Sequence, residues 1–122
     1  MLIGDAAGWN DPITGQGLSI TLRDVRIVSE VLRAGDDWSV EAFTPYVDER
    51  RERMRRLRFG ARLQAVIYNE FGPEADARRL RAFARFAEDP ELSLPLLCAM
   101  TGPEMAPPEV FTDETRALVL AG

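Results

Sequence analysis

The sequence predicts a mainly α-helical protein in which one short strand precedes a bundle of helices. Apolar residues recur with the helical period over most of the 122 residues. Glycine and proline interrupt that pattern at the points where helices are expected to end. After a strand stub at Met1–Ile3, the sequence contains no second run of alternating β-branched residues that would predict a partner strand.

The first helix follows a loop at residues 4–14 that is rich in glycine, asparagine, aspartate and proline. We expect this helix to begin between Gly15 and Leu18 and to stop at Gly35, because glycine readily adopts the backbone conformation that ends a helix. The residues spaced for one helical face should turn inward, and they are Leu18, Leu22, Val25, Val28 or Ser29, and Leu32.

A longer second helix is predicted after Ser39, a favourable N-cap residue, and should run to about Phe71. Its inward stripe is expected to contain Phe43, Val47, Met54, Leu57, Ala61, Ala65 and Tyr68. The opposite face interleaves arginine with glutamate, which predicts a face that is solvated or packed on another part of a larger protein. Its residues are Glu49, Arg50, Arg51, Glu52, Arg53, Arg55 and Arg56.

Three shorter helices are predicted in the rest of the chain. The third helix should span roughly Glu74–Glu88. A fourth should follow Pro90 and continue through Met100, and Thr112 should cap a last helix. The inward residues expected on the third helix are Leu80, Phe83 and Ala87.

Composition excludes several classes of function. With 46% apolar and 29% charged residues, the sequence is that of an ordinary globular protein. The single cysteine, Cys98, allows no internal disulfide, is compatible with a reducing, cytoplasmic location, and should be buried among apolar neighbours. Because the chain has no histidine, histidine-based catalysis and metal ligation are excluded, and we assign no catalytic residue and no metal site. The net charge of −5 and the lack of a long apolar run predict neither a nucleic-acid nor a membrane partner.

The segment Gly4–Asp24 has the composition of a ligand-binding loop followed by a helix. Small residues beside Asp5 allow a ligand to approach the backbone closely. Gly15 and Gly17 flank Gln16 where the helix begins, and exposed N–H groups at a helix start attract an anion or an electron-rich heterocycle. Gly15 also begins a G-x-G-x-x-G pattern, but its third glycine position is isoleucine, which argues against a dinucleotide fingerprint. From these residues alone, a glycine-rich helix cap without any ligand is the alternative.

As a whole, this segment resembles the second FAD-binding motif of the para-hydroxybenzoate-hydroxylase-like flavoprotein monooxygenases. That motif runs Gly-Asp-Ala-Ala-His, then Pro, then Gly-Gln-Gly, then a helix with an arginine–aspartate pair. Gly8 stands where hydroxylases usually have histidine, so the segment also resembles geranylgeranyl-reductase-like enzymes and flavin halogenases. The Gly-Gln-Gly run and the Arg23–Asp24 pair favour the hydroxylases. The matching residues are Gly4, Asp5, Ala6, Ala7, Pro12, Gly15, Gln16, Gly17, Leu18 and Asp24.

The resemblance implies roles for individual residues. Asp5 would accept hydrogen bonds from the ribityl hydroxyls of FAD, with Gly4 and Ala6 beside it. Pro12 would lie near the reactive face of the isoalloxazine ring. Enzymes of this family reduce FAD with NAD(P)H and then insert an oxygen atom into an organic substrate. Four residues would direct backbone amides to the flavin N1 and O2 and stabilise negative charge on the reduced ring: Gly15, Gln16, Gly17 and Leu18.

The resemblance further implies that the chain is a C-terminal fragment of an α/β FAD-binding fold. The complete G-x-G-x-x-G motif that grips the ADP half of FAD in the family has no counterpart in this sequence. We therefore interpret residues 1–35 as the isoalloxazine-side FAD motif and residues 36–122 as a helical C-terminal region. The expected partners are the missing N-terminal part of the enzyme, a small organic substrate and, for the isolated and inactive fragment, a second copy of itself. The alternatives are a reductase- or halogenase-type relative, or a non-enzymatic helical association module with a vestigial flavin motif.

Overall fold

The computed structural model describes residues 1–121, which form α-helices joined by short 3-10 turns. The helices are α1 (Gly17–Arg33), α2 (Thr44–Tyr68), α3 (Pro73–Glu88), α4 (Leu94–Thr101) and α5 (Asp113–Leu120). The 3-10 turns are Gly4–Ala7, Pro12–Thr14, Glu41–Phe43, Pro90–Ser93, Pro103–Met105 and Pro108–Val110. The predicted mainly helical fold class is confirmed.

The predicted strand at Met1–Ile3 is not formed. Ile3 has an extended backbone, with φ −133° and ψ 165°, but the chain enters a 3-10 turn at the next residue. No strand occurs within residues 1–121, so this segment has no neighbour with which to form ladder hydrogen bonds. A side chain binds it instead, because the hydroxyl of Tyr46 donates to the carbonyl of Leu2 over 3.1 Å.

The chain divides into two compact units, Met1–Arg55 (unit 1) and Arg56–Gly122 (unit 2). Helix α2 contributes its first turns to unit 1 and its remaining turns to unit 2. The division into residues 1–35 and 36–122 made from the sequence concerns role rather than packing, and it stays a prediction. Among residues 1–121, no helix combines the length and the apolar character needed to cross a membrane.

The helix ends follow local capping. Helix α1 begins inside the predicted window and ends at Arg33, just before the predicted stop at Gly35. Helix α2 begins later than predicted because the residues after Ser39 form a separate 3-10 turn, in which Ser39 Oγ accepts from the amide of Ala42 over 3.3 Å. Pro45 then lies in the first turn of α2, where its missing N–H costs little.

Unit 2 has an apolar core. Leu63 and Ile67 of α2 are each 1% exposed and lie in one cluster with Ala82, Leu96 and Val119 from the three other helices. Close approach of α2 and α4 depends on Gly60, because a Cβ there would lie 2.5 Å from the carbonyl oxygen of Pro95. Two sequence predictions are confirmed in this unit. Cys98 is buried, and Thr112 caps α5 by accepting from the amide of Thr115 over 3.2 Å.

The inward face predicted for α3 is wrong. Leu80 is 71% exposed, and Phe83 and Ala87 are also exposed. The buried residues of α3 are Ala75 and Ala82. Small side chains let a helix pack closely against its neighbours. Helix α3 therefore buries its alanine face and leaves the neighbouring face, which has larger apolar residues, exposed.

The inward face predicted for α1 is also wrong, except at Val28. The buried residues of α1 are Ile20, Asp24 and Val28, which are spaced at i, i+4 and i+8. The remaining apolar members of the predicted stripe are exposed: Leu18 71%, Leu22 60%, Val25 42% and Leu32 43%. Helix α1 therefore has two apolar stripes, and unit 1 buries the one that contains a carboxylate.

On α2, the predicted inward stripe is buried in the middle of the helix and exposed towards its ends. Met54, Leu57 and Ala61 are buried, whereas Val47 and Tyr68 are exposed. The expectation of a solvated arginine face is wrong at two positions. Arg50 is 8% exposed and Arg53 is 6% exposed. Their burial is explained by the carboxylate of α1.

Candidate functional site

The loop that was predicted to bind the ribityl chain begins with a residue whose backbone conformation and close packing favour glycine. Gly4 is buried and has a φ of 57°, a conformation that disfavours other residues. A Cβ at this position would lie 2.8 Å from Thr21 Oγ1 of α1. The turn then closes with a hydrogen bond of 3.0 Å from the amide of Gly8 to the carbonyl of Asp5. The start of the loop is therefore packed directly on α1.

The carboxylate of Asp24 binds the backbone at the start of this loop. Asp24 is 0% exposed, and its Oδ2 accepts from the amide of Gly4 and from Arg50 Nε, each over 2.9 Å. Its Oδ1 accepts from Arg53 Nη2 over 2.6 Å. Both carboxylate oxygens are thus bound to cationic or backbone donors, as a buried charge requires.

Arg50 binds the same loop from α2. Its Nη2 donates to the carbonyls of Gly4 and Gly8 over 2.8 and 3.2 Å. Its Nη1 donates to the carbonyl of Ala7 over 3.2 Å. One guanidinium therefore joins the Asp24 carboxylate to three carbonyls of the loop. We call Asp24, Arg50 and Arg53 the ion cluster.

A second layer of charge surrounds the ion cluster. Arg53 also donates to Glu49 from Nε and Nη2, at distances of 3.2 to 3.3 Å. Glu49 in turn pairs with Arg23 of α1 over 2.8 Å. The charges alternate in sign, so each buried cation of the cluster has a neighbouring anion.

The electrostatics follow from this arrangement. Burial by itself would raise the pKa of Asp24, but hydrogen bonds from Arg50, Arg53 and the Gly4 amide lower it below the usual aspartate value. Burial raises the pKa of Tyr46, and the negative charge of Asp24 raises it further. The carboxylate is therefore ionised and the phenol protonated near neutral pH.

The second loop, at residues 10–14, is held by its own side chains. Asp11 Oδ1 accepts from the amide of Ile13 over 3.0 Å. Thr14 is buried, its Oγ1 donates to the carbonyl of Asp11, and it accepts from Asn10 Nδ2. Gly15 then adopts a left-handed backbone with φ 64°, which leads the chain into α1. This geometry explains the Asp-Pro and Thr-Gly pairs of the sequence.

The structure leaves most of the predicted FAD-binding residues open to solvent. Gly4 is buried and Gln16 is half-buried, and the exposed members are Asp5, Ala6, Pro12, Gly15, Gly17 and Leu18. A Cβ added at Gly15 or Gly17 would have no heavy atom within 4 Å, so the backbone is accessible there. The first residue before α1, Gln16, makes no side-chain capping hydrogen bond to the helix. As in any α-helix, the opening amides of α1 have no i−4 carbonyl inside the helix, and the positive end of its dipole lies beside them.

Sequence reasoning missed Arg50 and Arg53 as parts of this site. A signal was present in α1, where Asp24 lies between Ile20 and Val28 on an i, i+4, i+8 stripe. An acid at the centre of an apolar stripe must find a buried cation, and the nearest arginine-rich segment supplies it.

Comparison with known proteins identifies one informative similarity. The chain is similar to a ubiquinone hydroxylase of Rhodospirillum rubrum, with 34% identity over 85 residues. The match covers 65% of this chain and 20% of that protein, so the chain spans about a fifth of the length of this relative. No protein-family model matches the sequence, and no solved structure matches it. The chain is thus homologous to part of a hydroxylase.

Proposed function

We propose that this chain supplies the isoalloxazine-side part of the FAD site in an FAD-dependent monooxygenase that hydroxylates an organic substrate with NAD(P)H. One observation carries the proposal. The backbone of the Gly4–Gly8 loop is hydrogen-bonded to the ion cluster, while Asp5 within the loop is exposed to solvent. The similarity to a hydroxylase supports the same reading.

The residues present are compatible with FAD. Asp5 offers carboxylate oxygens as acceptors for the ribityl hydroxyls, and Ala6 beside it is small and exposed. The accessible backbone at Gly15 and Gly17 would admit a flat ring, and the start of α1 would stabilise negative charge on that ring. FAD itself would supply the redox chemistry. This chain would bind and orient the flavin.

The complete activity would require protein outside these residues. The sequence holds no complete G-x-G-x-x-G motif, so in the proposed enzyme another segment or chain grips the ADP half of FAD. The small organic substrate and NAD(P)H would also bind mainly there. In this proposal the chain alone has no hydroxylase activity.

Two alternative functions have specific support. Gly8, in place of histidine, favours a reductase- or halogenase-type flavin enzyme, in which Asp5 would have the same role toward the ribityl chain. The exposed stripe of α1 favours a helical association module with a vestigial flavin motif. Flavin binding separates the second alternative from the proposal, because an association module would not bind FAD.

The test is a titration of the chain with FAD, followed by flavin fluorescence. Because this chain lacks the motif that binds the ADP half of FAD, the Kd for FAD should be no better than about the micromolar range. Asp5→Ala should weaken binding roughly ten- to hundredfold, since it removes a charge-assisted hydrogen bond. Asp36→Ala is the matched control, because it removes the same charge from an exposed position in unit 1. Absence of binding, or equal binding by the two variants, would contradict the proposal.

A further inference from the structure

The ion cluster joins three segments that are distant in the sequence. Asp24 is on α1, Arg50 and Arg53 are on α2, and the loop Gly4–Gly8 precedes both helices. The side chains of Arg50 and Arg53 are 10% and 5% exposed. Solvent screening is weak at such burial, so the bonds of the cluster hold their partners firmly.

The cluster binds the backbone of the loop on both sides of one residue. The amide of Gly4 donates to Asp24, and the carbonyl of Gly4 accepts from Arg50. Arg50 also binds the carbonyls of Ala7 and Gly8, which close the turn. With these carbonyls bound to the cluster, the loop is held at both of its ends while Asp5 lies between them.

We infer that Asp24 and Arg50 are positioning residues that pre-organise the Gly4–Gly8 loop, so that Asp5 is held ready to accept hydrogen bonds from a polyhydroxylated ligand chain such as the ribityl group of a flavin. This inference rests on the proposed function. A loop that is already ordered loses less conformational entropy on binding, so the ligand binds more tightly than it would to a mobile loop.

Arginine is required at position 50 by the geometry of the bonds. A guanidinium directs donors from Nε, Nη1 and Nη2 to separate acceptors in one plane. A lysine ammonium is a single point of charge and would not reach the carboxylate and all three carbonyls together. Arg50→Lys therefore keeps the charge and releases part of the loop.

The matched control lies one residue away. Arg51 pairs with Asp48 on the exposed side of α2, where its side chain is 74% exposed. Arg51→Lys makes the same chemical change on the same helix without touching the loop. A second test variant, Asp24→Asn, keeps the shape of the acid but removes its charge and one acceptor oxygen.

The experiment measures two quantities on the full chain. One is the Kd for FAD by fluorescence titration, and the other is the hydrogen-exchange rate of the Gly4 amide by NMR. Arg50→Lys should raise the Kd at least about tenfold and speed Gly4 exchange by a similar factor, with exchange in α1 and α2 unchanged. Arg51→Lys should match the wild type in both.

Three other results would each overturn the inference, and they can be told apart. If wild type and Arg50→Lys bind FAD equally well, or Gly4 exchanges at the same rate in both, the positioning role is overturned while the proposed function stands. If the wild type binds no FAD at millimolar concentration, the proposed function is overturned and the inference with it. If Arg50→Lys loses protection throughout α1 as well as at Gly4, Arg50 maintains only the fold, and the inference is again overturned.

Discussion

Unit 1 buries a carboxylate that is held by two arginines, whereas the core of unit 2 contains a cluster of aliphatic and small side chains. An apolar core stabilises a fold by removing hydrocarbon from water, but it exerts little control over the direction of a particular carbonyl. A buried ion cluster adds little net stability, because desolvation offsets its attraction. It does fix the orientation of each polar group that it binds.

The difference indicates that unit 1 is organised around the shape of a loop and unit 2 around packing. Arg53 Nη1 is buried and finds no hydrogen-bond partner among the described residues, and the buried Gln64 Oε1 bears the same kind of cost in unit 2. The cluster is thus a poor choice for stability alone. The ion cluster has a second role, which is to bind the carbonyls of Gly4 and Gly8, and the apolar cluster of Leu63 and Ile67 has no such role.

The largest effect is expected from Asp24→Ala. This change leaves Arg50 and Arg53 buried without their carboxylate, which should destabilise unit 1 by about 3–5 kcal/mol. Asp48→Ala, which removes an exposed ion pair with Arg51, should cost at most about 1 kcal/mol. Urea unfolding combined with peptide-resolved hydrogen exchange measures both. Equal losses in the two variants would mean that the cluster is as weak as a surface pair.

In unit 2 the corresponding change is Leu63→Ala. Leu63 is 1% exposed in the apolar cluster, so its truncation should cost about 2–5 kcal/mol through lost burial and a residual cavity. Leu118→Ala on α5 is the control, because Leu118 is 58% exposed and should cost little. The same urea titration applies. Unlike Asp24→Ala, Leu63→Ala should leave exchange of the Gly4 amide unchanged. Faster exchange of this amide in Leu63→Ala would contradict the view that the loop is held by the ion cluster alone.

Acid should affect unit 1 through Asp24. The pKa of this carboxyl is lower in the folded chain than in the unfolded one, so its stabilisation is fully present above the unfolded value of about 3.9. That stabilisation is lost as the pH falls through the lowered folded value. Exchange of α1 amides, followed from pH 6 downward, should rise below about pH 4 after correction for intrinsic rates. In Asp24→Asn this specific rise should disappear, and its persistence would assign the transition to other carboxyls.

The exposed stripe of α1 should cause self-association of the isolated chain. Leu22 and Val25 are 60% and 42% exposed, next to other apolar residues of the same stripe. Burial against a second copy would remove this surface from water. Light scattering coupled to gel filtration should give a mass above the 13.7 kDa of one chain, and Leu22→Glu should restore the monomer. Leu118→Glu should not, and a wild-type mass of 13.7 kDa would disprove association.

Much of the fold could be predicted from the sequence because helix boundaries depend on local chemistry. A residue that starts a helix, such as Thr112 before α5, acts within a few positions of itself. The inward faces of α1 and α3 could not be predicted in the same way. Each helix carries more than one apolar stripe, and the choice between them depends on partners far away in the sequence.

The candidate site shows the same division. The loop around Asp5 and the glycines before α1 could be found from a local motif. The ion cluster could not, because Arg50 lies 26 residues from Asp24 and looks like any other arginine of a charged helix. Its burial follows from three-dimensional proximity to the buried Asp24 carboxylate, where it binds Oδ2 while Arg53 binds Oδ1.

In the proposed function, FAD binds to the loop at Gly4–Gly8 and to the start of α1. The most direct measurement is a titration of the isotopically labelled chain with FAD, followed by amide chemical shifts in NMR. The largest chemical-shift changes should fall on residues 4–8 and 15–18, and they should shrink in Asp5→Ala. Shifts confined to unit 2, or no saturable shift at millimolar FAD, would contradict it.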